Sequence, residues 1–196
     1  MAQEPYQLMN GPFVVYIKPI TVASPAVELP PDIDFAPAGN WELFGVSGDK
    51  DITEEGISVM MPQSVSLFRG LGSTTARKAF RTEEDVVIEF TLADASVENF
   101  ARGLNDAVID ISGNHRKIQL LRGAEVSQAS LLLYGDGKSA YGDFNSFLWL
   151  PRCSHIGEMS PKIVKGEPIG LSYRYQVLND DDYGVGVFDM GDSAGS

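Results

Sequence analysis

The sequence predicts a mainly β protein: an antiparallel β-sandwich or half-barrel with one flanking α-helix, a long loop and extended arms. Three observations carry this. Runs of β-branched and aromatic residues bounded by Gly and Pro recur from Pro12 to Asp180. One segment, Ala95 to Leu104, has helical spacing, with Val97, Phe100, Ala101 and Leu104 at i, i+3, i+4 and i+7. Two runs, LLL at 131–133 and FLWL at 147–150, are apolar at consecutive positions, as in strands covered on both sides by a sheet and either the helix or another subunit.

The elements follow in order. PFVVYIKP (12–19) is a first strand bounded by prolines. Residues 22–39 hold Pro25, Pro30, Pro31 and Pro37 beside Glu28, Asp32 and Asp34, a composition that favours an extended excursion over a packed element. NWELFGVSG (40–48) and GISVMMP (56–62) read as strands. The segment 62–84 is too long for a tight turn and too apolar at Val65, Leu67 and Phe68 for a plain linker, so a protruding hairpin or ordered loop is expected. In DVVIEFTL (85–92), Val86, Ile88, Phe90 and Leu92 share one face while Asp85, Val87, Glu89 and Thr91 share the other. Asp94 is the expected N-cap of the helix, Glu98 sits near its positive end, and Gly103 weakens its last turn. AVIDIS, KIQLL (117–121), VSQASLLLY (126–134), NSFLWLPRCSHI (145–156) and IGLSYRYQVLND (169–180) return to extended structure. The Gly-rich tail, 184–196, is expected to be flexible. All of this fits one domain spanning 1–196.

Composition narrows the function classes. With 43% hydrophobic residues the chain can build a core. MAQEPYQLMNGP has no basic segment leading into an apolar run, and no stretch approaches a bilayer span, so a chain without signal peptide or membrane insertion is expected. Twenty-seven acids against 15 bases give a net charge of −12, a field that repels phosphate polymers. The charge is uneven: positions 62–81 carry Arg69, Arg77, Lys78 and Arg81 with no acid. Asp49, Asp51, Glu54 and Glu55 precede that stretch, and Glu83, Glu84 and Asp85 follow it.

No catalytic or metal-binding set emerges, and neither enzymatic activity nor a cofactor is expected. Cys153 is the single cysteine, and His115 and His155 are the only histidines. Cys153 and His155, at i and i+2, form neither a zinc site nor a complete nucleophile constellation. Gly70-Leu71-Gly72-Ser73 lacks the Gly-Lys-Ser/Thr ending of a phosphate loop, and Asp180-Asp181-Asp182 lacks the spacing of a calcium loop. Asp85 and Glu89 as an acid/base pair have no sugar-binding cleft marked nearby. A second function class is a monomeric β-sandwich binding module, for carbohydrate or adhesion, with Trp41 and Trp149 as stacking platforms.

The order of elements supplies the rest. A strand after EEGISV, a long loop, the joint EEDVVIEFTLADASVENFARGLND and the late strand GEPIGLSYRYQVLNDDD together resemble the major tail tube proteins of long-tailed bacteriophages, over roughly residues 40–183. The Pro-rich segment 22–39 and the tail after Tyr183 depart from that pattern. The resemblance implies a structural virion protein in the phage tail, made in the host cytoplasm, whose hexameric rings stack into a conduit for DNA ejection. Its implied partners are copies of itself and the tape measure, distal tail and tail terminator proteins, with DNA passing only transiently. On that architecture Asp85 and Glu89 are lumen-facing candidates, forming a negative surface without fixed cationic sites. Arg69, Arg77, Lys78 and Arg81 are ring-stacking candidates that could reach Asp49, Asp51, Glu54, Glu55 or the Asp180–Asp182 turn of the next ring. Val87, Leu132 and Trp149 are subunit-interface candidates.

Overall fold

The computed structural model describes residues 11–21, 41–69, 71–72, 74–105, 107–120, 126–137, 139–140, 144–159, 161, 165–166 and 169–190. The expected excursion at 22–39 lies outside them. The described residues form twelve strands and one α-helix: β1 (Val14–Ile20), β2 (Glu42–Leu43), β3 (Ile52–Met60), β4 (Gln63–Phe68), β5 (Lys78–Glu84), β6 (Val87–Leu92), α1 (Val97–Gly103), β7 (Ile109–Ser112), β8 (His115–Ile118), β9 (Gln128–Gly135), β10 (Ser146–His155), β11 (Leu171–Val177) and β12 (Val187–Met190). The protein is thus mainly β and antiparallel, with one helix among the described residues.

Eight strands make one sheet, in the order β2, β1, β9, β10, β11, β6, β3, with β12 alongside the first half of β10. The period-2 alternation decides its inner face. Val15 and Ile17 of β1, Leu131 and Leu133 of β9, Leu148, Leu150 and Cys153 of β10, Tyr173 and Tyr175 of β11, and Ile88, Phe90 and Leu92 of β6 pack into one cluster. In a flat sheet β1 and β6, four strand spacings apart, would be separated by roughly 19 Å. Yet Phe44 donates its backbone N–H to the Val15 carbonyl at 2.8 Å and sets its ring 5.2 Å from Phe90 and 4.8 Å from Tyr173. One side chain reaches both flanks only because the sheet curls into a half-barrel around it.

This explains why the expected strand at 40–48 stops after two residues. The chain must leave the sheet edge to drive Phe44 inward, and it does so through Gly45 at φ 87° and Gly48 at φ 68°, conformations that L side chains avoid. A Cβ on Gly45 would also collide with Asp51 and Leu92. The crossing is pinned where the Asp51 carboxylate accepts the Val46 and Ser47 N–H groups at 2.6 and 2.5 Å, and its carbonyl accepts Ala93 N–H at 2.6 Å.

The helix lies over the same opening. Its N-cap is Ser96, whose Oγ accepts Asn99 N–H at 3.4 Å; the expected cap, Asp94, instead accepts Ser96 N–H at 3.1 Å and the Asn99 amide at 2.9 Å, bracing the turn before the helix. Tyr173 Oη donates to the Asn99 carbonyl at 2.7 Å, and Arg102 pairs with Glu42, donates to Leu43 O and lies 5.3 Å from the Phe44 ring centre. Gly103 does more than weaken the last turn: the Met159 side chain occupies the space a Cβ there would need.

The outer face is also covered in part. Leu132, Tyr134, Phe147 and Trp149 form a second cluster with Tyr16, Trp41 and Val187. The consecutive apolar residues of β9 and β10 are therefore covered on both faces within one chain. The tail does not begin as free chain, because Val187–Met190 pair with Ser146–Trp149 and Tyr183 packs edge-on against Trp149 at 4.9 Å. Residues 191–196 lie outside the described residues.

Phe44→Ala should leave a cavity at the meeting point of three aromatic rings and cost about 3–5 kcal/mol, measured as a lower denaturant midpoint with an unchanged slope.

Candidate functional site

The longest element that the large sheet does not absorb is a two-stranded ribbon; the shorter β7–β8 hairpin is the other among the described residues. β3 runs through Met61 and Pro62 into β4, and β5 runs through Asp85 and Val86 into β6, so one continuous antiparallel ribbon is anchored in the sheet over β3 and β6 and stands free over β4 and β5. Asp85 N–H to Pro62 O, at 3.2 Å, carries the pairing across the junction. The expected protrusion at 62–84 is therefore a hairpin, and each residue of both its strands is exposed.

Register sorts its side chains. Val65 lies opposite Arg81 and Leu67 opposite Ala79 on one face; Ser66 lies opposite Phe80 and Phe68 opposite Lys78 on the other. Apolar groups thus occupy both faces, and Leu67 and Phe68 remain 53% and 57% exposed. A monomer gains nothing from such a pattern, since an isolated two-stranded ribbon is marginal in water and exposed apolar faces invite a partner.

Charge divides along its length. Glu83 and Glu84 sit at the base; Arg69, Arg77 and Lys78 sit at the tip. Arg77 N–H closes the tip onto Phe68 O at 2.9 Å, Leu71 and Gly72 form the turn, and Lys78 Nζ lies 4.9 Å from the Phe80 ring centre. Among the described residues, ion pairs involve neither Arg69 nor Arg77. Arg81 differs from the other stacking candidates: it pairs with Glu84 at 2.8 Å near the base and is committed there.

The proposed recipients also separate. Asp51 is occupied by backbone N–H groups, and Asp180 is 9% exposed, pairing with Arg152 at 3.3 Å and accepting Asp182 and Tyr183 N–H. Both carboxylates hold local structure. Glu54 and Glu55, on the bulged part of β3, are exposed.

Of the lumen candidates, it is the surface without fixed cationic sites that needs correction. Asp85 lies just before β6 and accepts the Gln176 amide at 3.0 Å. Glu89 does face away from the core, but Arg174 on the neighbouring strand pairs with it at 3.0 Å, so this face carries the fixed cation that an uncompensated negative lining excludes. An open cleft of about 610 Å³ surrounds this pair, lined by Glu55, Ser58, Glu89, Glu158, Tyr173 and Arg174 among others. Sequence reasoning missed it because Glu55, Glu89 and Glu158 come from three distant segments. The subunit-interface candidates are corrected too: Val87, Leu132 and Trp149 are 4%, 1% and 0% exposed, and Trp149 Nε1 donates to Ser130 Oγ at 2.8 Å. Their own chain already buries them.

Cys153 and His155 share the core face of β10. Burial pushes the thiol far up, which removes it as a nucleophile, and lowers the His155 pKa from its ordinary 6.5. The His155 Nε2 is enclosed with no hydrogen-bond partner, against the rings of Tyr173 and Tyr175. Among the described residues no three His, Cys, Asp or Glu side chains form a metal-holding group, and no helix is long and apolar enough to cross a membrane. Gly70 and Ser73 lie outside the described residues. No protein-family model and no curated protein matches the chain.

Leu132→Asp should abolish the native near-ultraviolet circular dichroism signal of the monomer, because it buries an unpaired charge in the second cluster. Because protonation of His155 is disfavoured in the folded state, its contribution is full above pH 6.5 and declines as the pH falls from 6.5 toward its lowered folded value. The melting temperature should drop across that window, and His155→Phe should flatten the dependence.

Proposed function

We propose that this protein is a structural subunit whose activity is self-assembly, forming the tail tube of a long-tailed bacteriophage by stacking hexameric rings into a conduit for DNA. The observation that carries the proposal is the free-standing hairpin, exposed throughout, with apolar Val65, Leu67, Phe68 and Phe80 spread over both faces and bases at its tip. A subunit that joins copies of itself has a use for an element with no packing role in the monomer. The acidic chain suits a conduit that must not bind the polymer passing through it. Tape measure, distal tail and terminator proteins are the further partners of that role.

Stacking would use the tip residues Arg69, Arg77 and Lys78, with Leu67, Phe68 and Leu71 adding apolar contact. Arg81 stays with Glu84 at the base. The carbohydrate or adhesin alternative gains no support from its stacking platforms, since Trp149 is fully buried and Trp41 packs against the same cluster.

Electron micrographs and light scattering of purified protein test the proposal. Rings or tubes should form as concentration rises, and high salt should shorten them by screening the tip charges. Replacing Arg69, Arg77 and Lys78 together by Glu should leave the circular dichroism and melting temperature of the monomer unchanged while tubes disappear. Tubes of wild-type length from that variant would remove the hairpin from the assembly contact.

A further inference from the structure

We infer that the cleft around Glu89 and Arg174 is the receptor for the hairpin tip of a second copy, so that assembly proceeds tip-to-cleft. The inference rests on the self-assembly reading and specifies the surface it left open.

The first support is charge complementarity. The cleft presents three carboxylates, Glu55, Glu89 and Glu158, and one guanidinium, Arg174. Arg174 is already spent on Glu89, whereas Glu55 and Glu158 are exposed and in no ion pair among the described residues. The tip presents Arg69 and Arg77 without a carboxylate partner, plus Lys78, in a stretch that holds no acid from 62 to 81.

The second support is size and lining. At about 610 Å³ the cleft falls within the range, about 300–1,000 Å³, that seats a ligand or a few side chains. Ile156, half exposed, gives the cleft an apolar side chain beside the acids, which matches a tip carrying Leu71 and Phe68 beside its bases; Phe90 and Tyr173 border the cleft but turn their rings into the core. Gly56 and Gly157 keep part of the wall low. At Gly157 a Cβ would press against Arg174 and stand 3.4 Å from His155 Nε2.

The third support is geometry. Tip and cleft lie at opposite ends of one ribbon. From Glu89 back to Lys78 is eleven residues of extended chain, roughly 35 Å at about 3.3 Å each. A subunit therefore cannot fill its own cleft, and the tip meets one only on a neighbour.

Charge reversal at either surface gives a decisive test. One full-length variant carries Arg69→Glu with Arg77→Glu, making tip and cleft both acidic. A second carries Glu55→Lys with Glu158→Lys, making both basic. Each alone should raise the concentration at which scattering reports assembly by about tenfold or more. An equal mixture should assemble near the wild-type concentration, because each tip then finds an opposite cleft only on the other variant. Mixing Leu71→Cys with Glu158→Cys and adding a short bifunctional maleimide should give a heterodimeric cross-link, the natural Cys153 being buried.

If the cleft variant assembles as the wild type does while the tip variant fails, or if no cross-link forms in assembling mixtures, the receptor lies elsewhere and the hairpin still drives assembly. Wild-type protein that stays monomeric at every concentration and salt tested would overturn both the receptor and the assembly proposal.

Discussion

Among the described residues, the structure depends on closing one curled eight-stranded sheet with no other large sheet to cover it. Phe44 does this. It is inserted by a chain crossing rather than by a strand, and it meets Phe90, Tyr173 and Tyr175 in edge-on contacts at 4.8–6.4 Å. Edge-on rings at these separations add favourable quadrupole contact to the area they bury. Around that plug the helix is tied down by Tyr173 and Arg102, and Asp51 holds the crossing to the end of β6. β6 is therefore fixed at one end by the plug and along one side by β11, and only then can it carry a ribbon that projects into solvent.

A ribbon supported this way behaves as a cantilever. Its inner half is held by inter-strand pairing on both sides of β6 and by core burial of Ile88, Phe90 and Leu92. Its outer half has only its own ladder and contacts such as Arg81 to Glu84 and Gln63 to Glu84. Local stability must fall from base to tip, since exposed backbone hydrogen bonds over few buried contacts open first. Burying the apolar outer half against a neighbour would remove that gradient. In the proposed assembly, association and ordering of the hairpin would thereby be coupled without any change to the core.

Much of the fold was legible because it is written in short-range periodicity. The alternation in 85–92 gave the correct inner face, and the consecutive apolar residues of LLL and FLWL correctly signalled coverage on both sides. What covered them was not legible. Periodicity reports that a residue is buried, and it cannot say whether its own chain or a neighbour does the burying, which is why Val87, Leu132 and Trp149 were assigned outward. The strand expected over 40–48 is real but shorter, β2 at Glu42–Leu43, because Gly45 and Gly48 turn the chain and send Phe44 inward, which no local pattern announces. β12 was missed, since four residues in a Gly-rich tail become a strand only because β10 has an open side there. The acidic cleft is long-range by nature, and Arg174 opposite Glu89 is a fact of register that no local pattern contains.

With both faces of the sheet occupied in its middle, the proposed self-association would fall to what projects, and charge would then constrain its symmetry. An isologous contact repeats one patch on both subunits. Tip against tip would set Arg69, Arg77 and Lys78 against their own copies, and cleft against cleft would do the same with Glu55 and Glu158. Both arrangements place like charges at close range. On a chain of net charge −12, the basic tip is the local exception to a general repulsion, so in the proposed assembly it would select an acidic target rather than its equivalent. What remains is a heterologous contact, and a heterologous contact never satisfies both of its halves in a dimer. It either closes into a ring or continues as a helical array. In the proposed assembly, the separation of charge along a single ribbon would thus favour a ring or an array over an isologous pair.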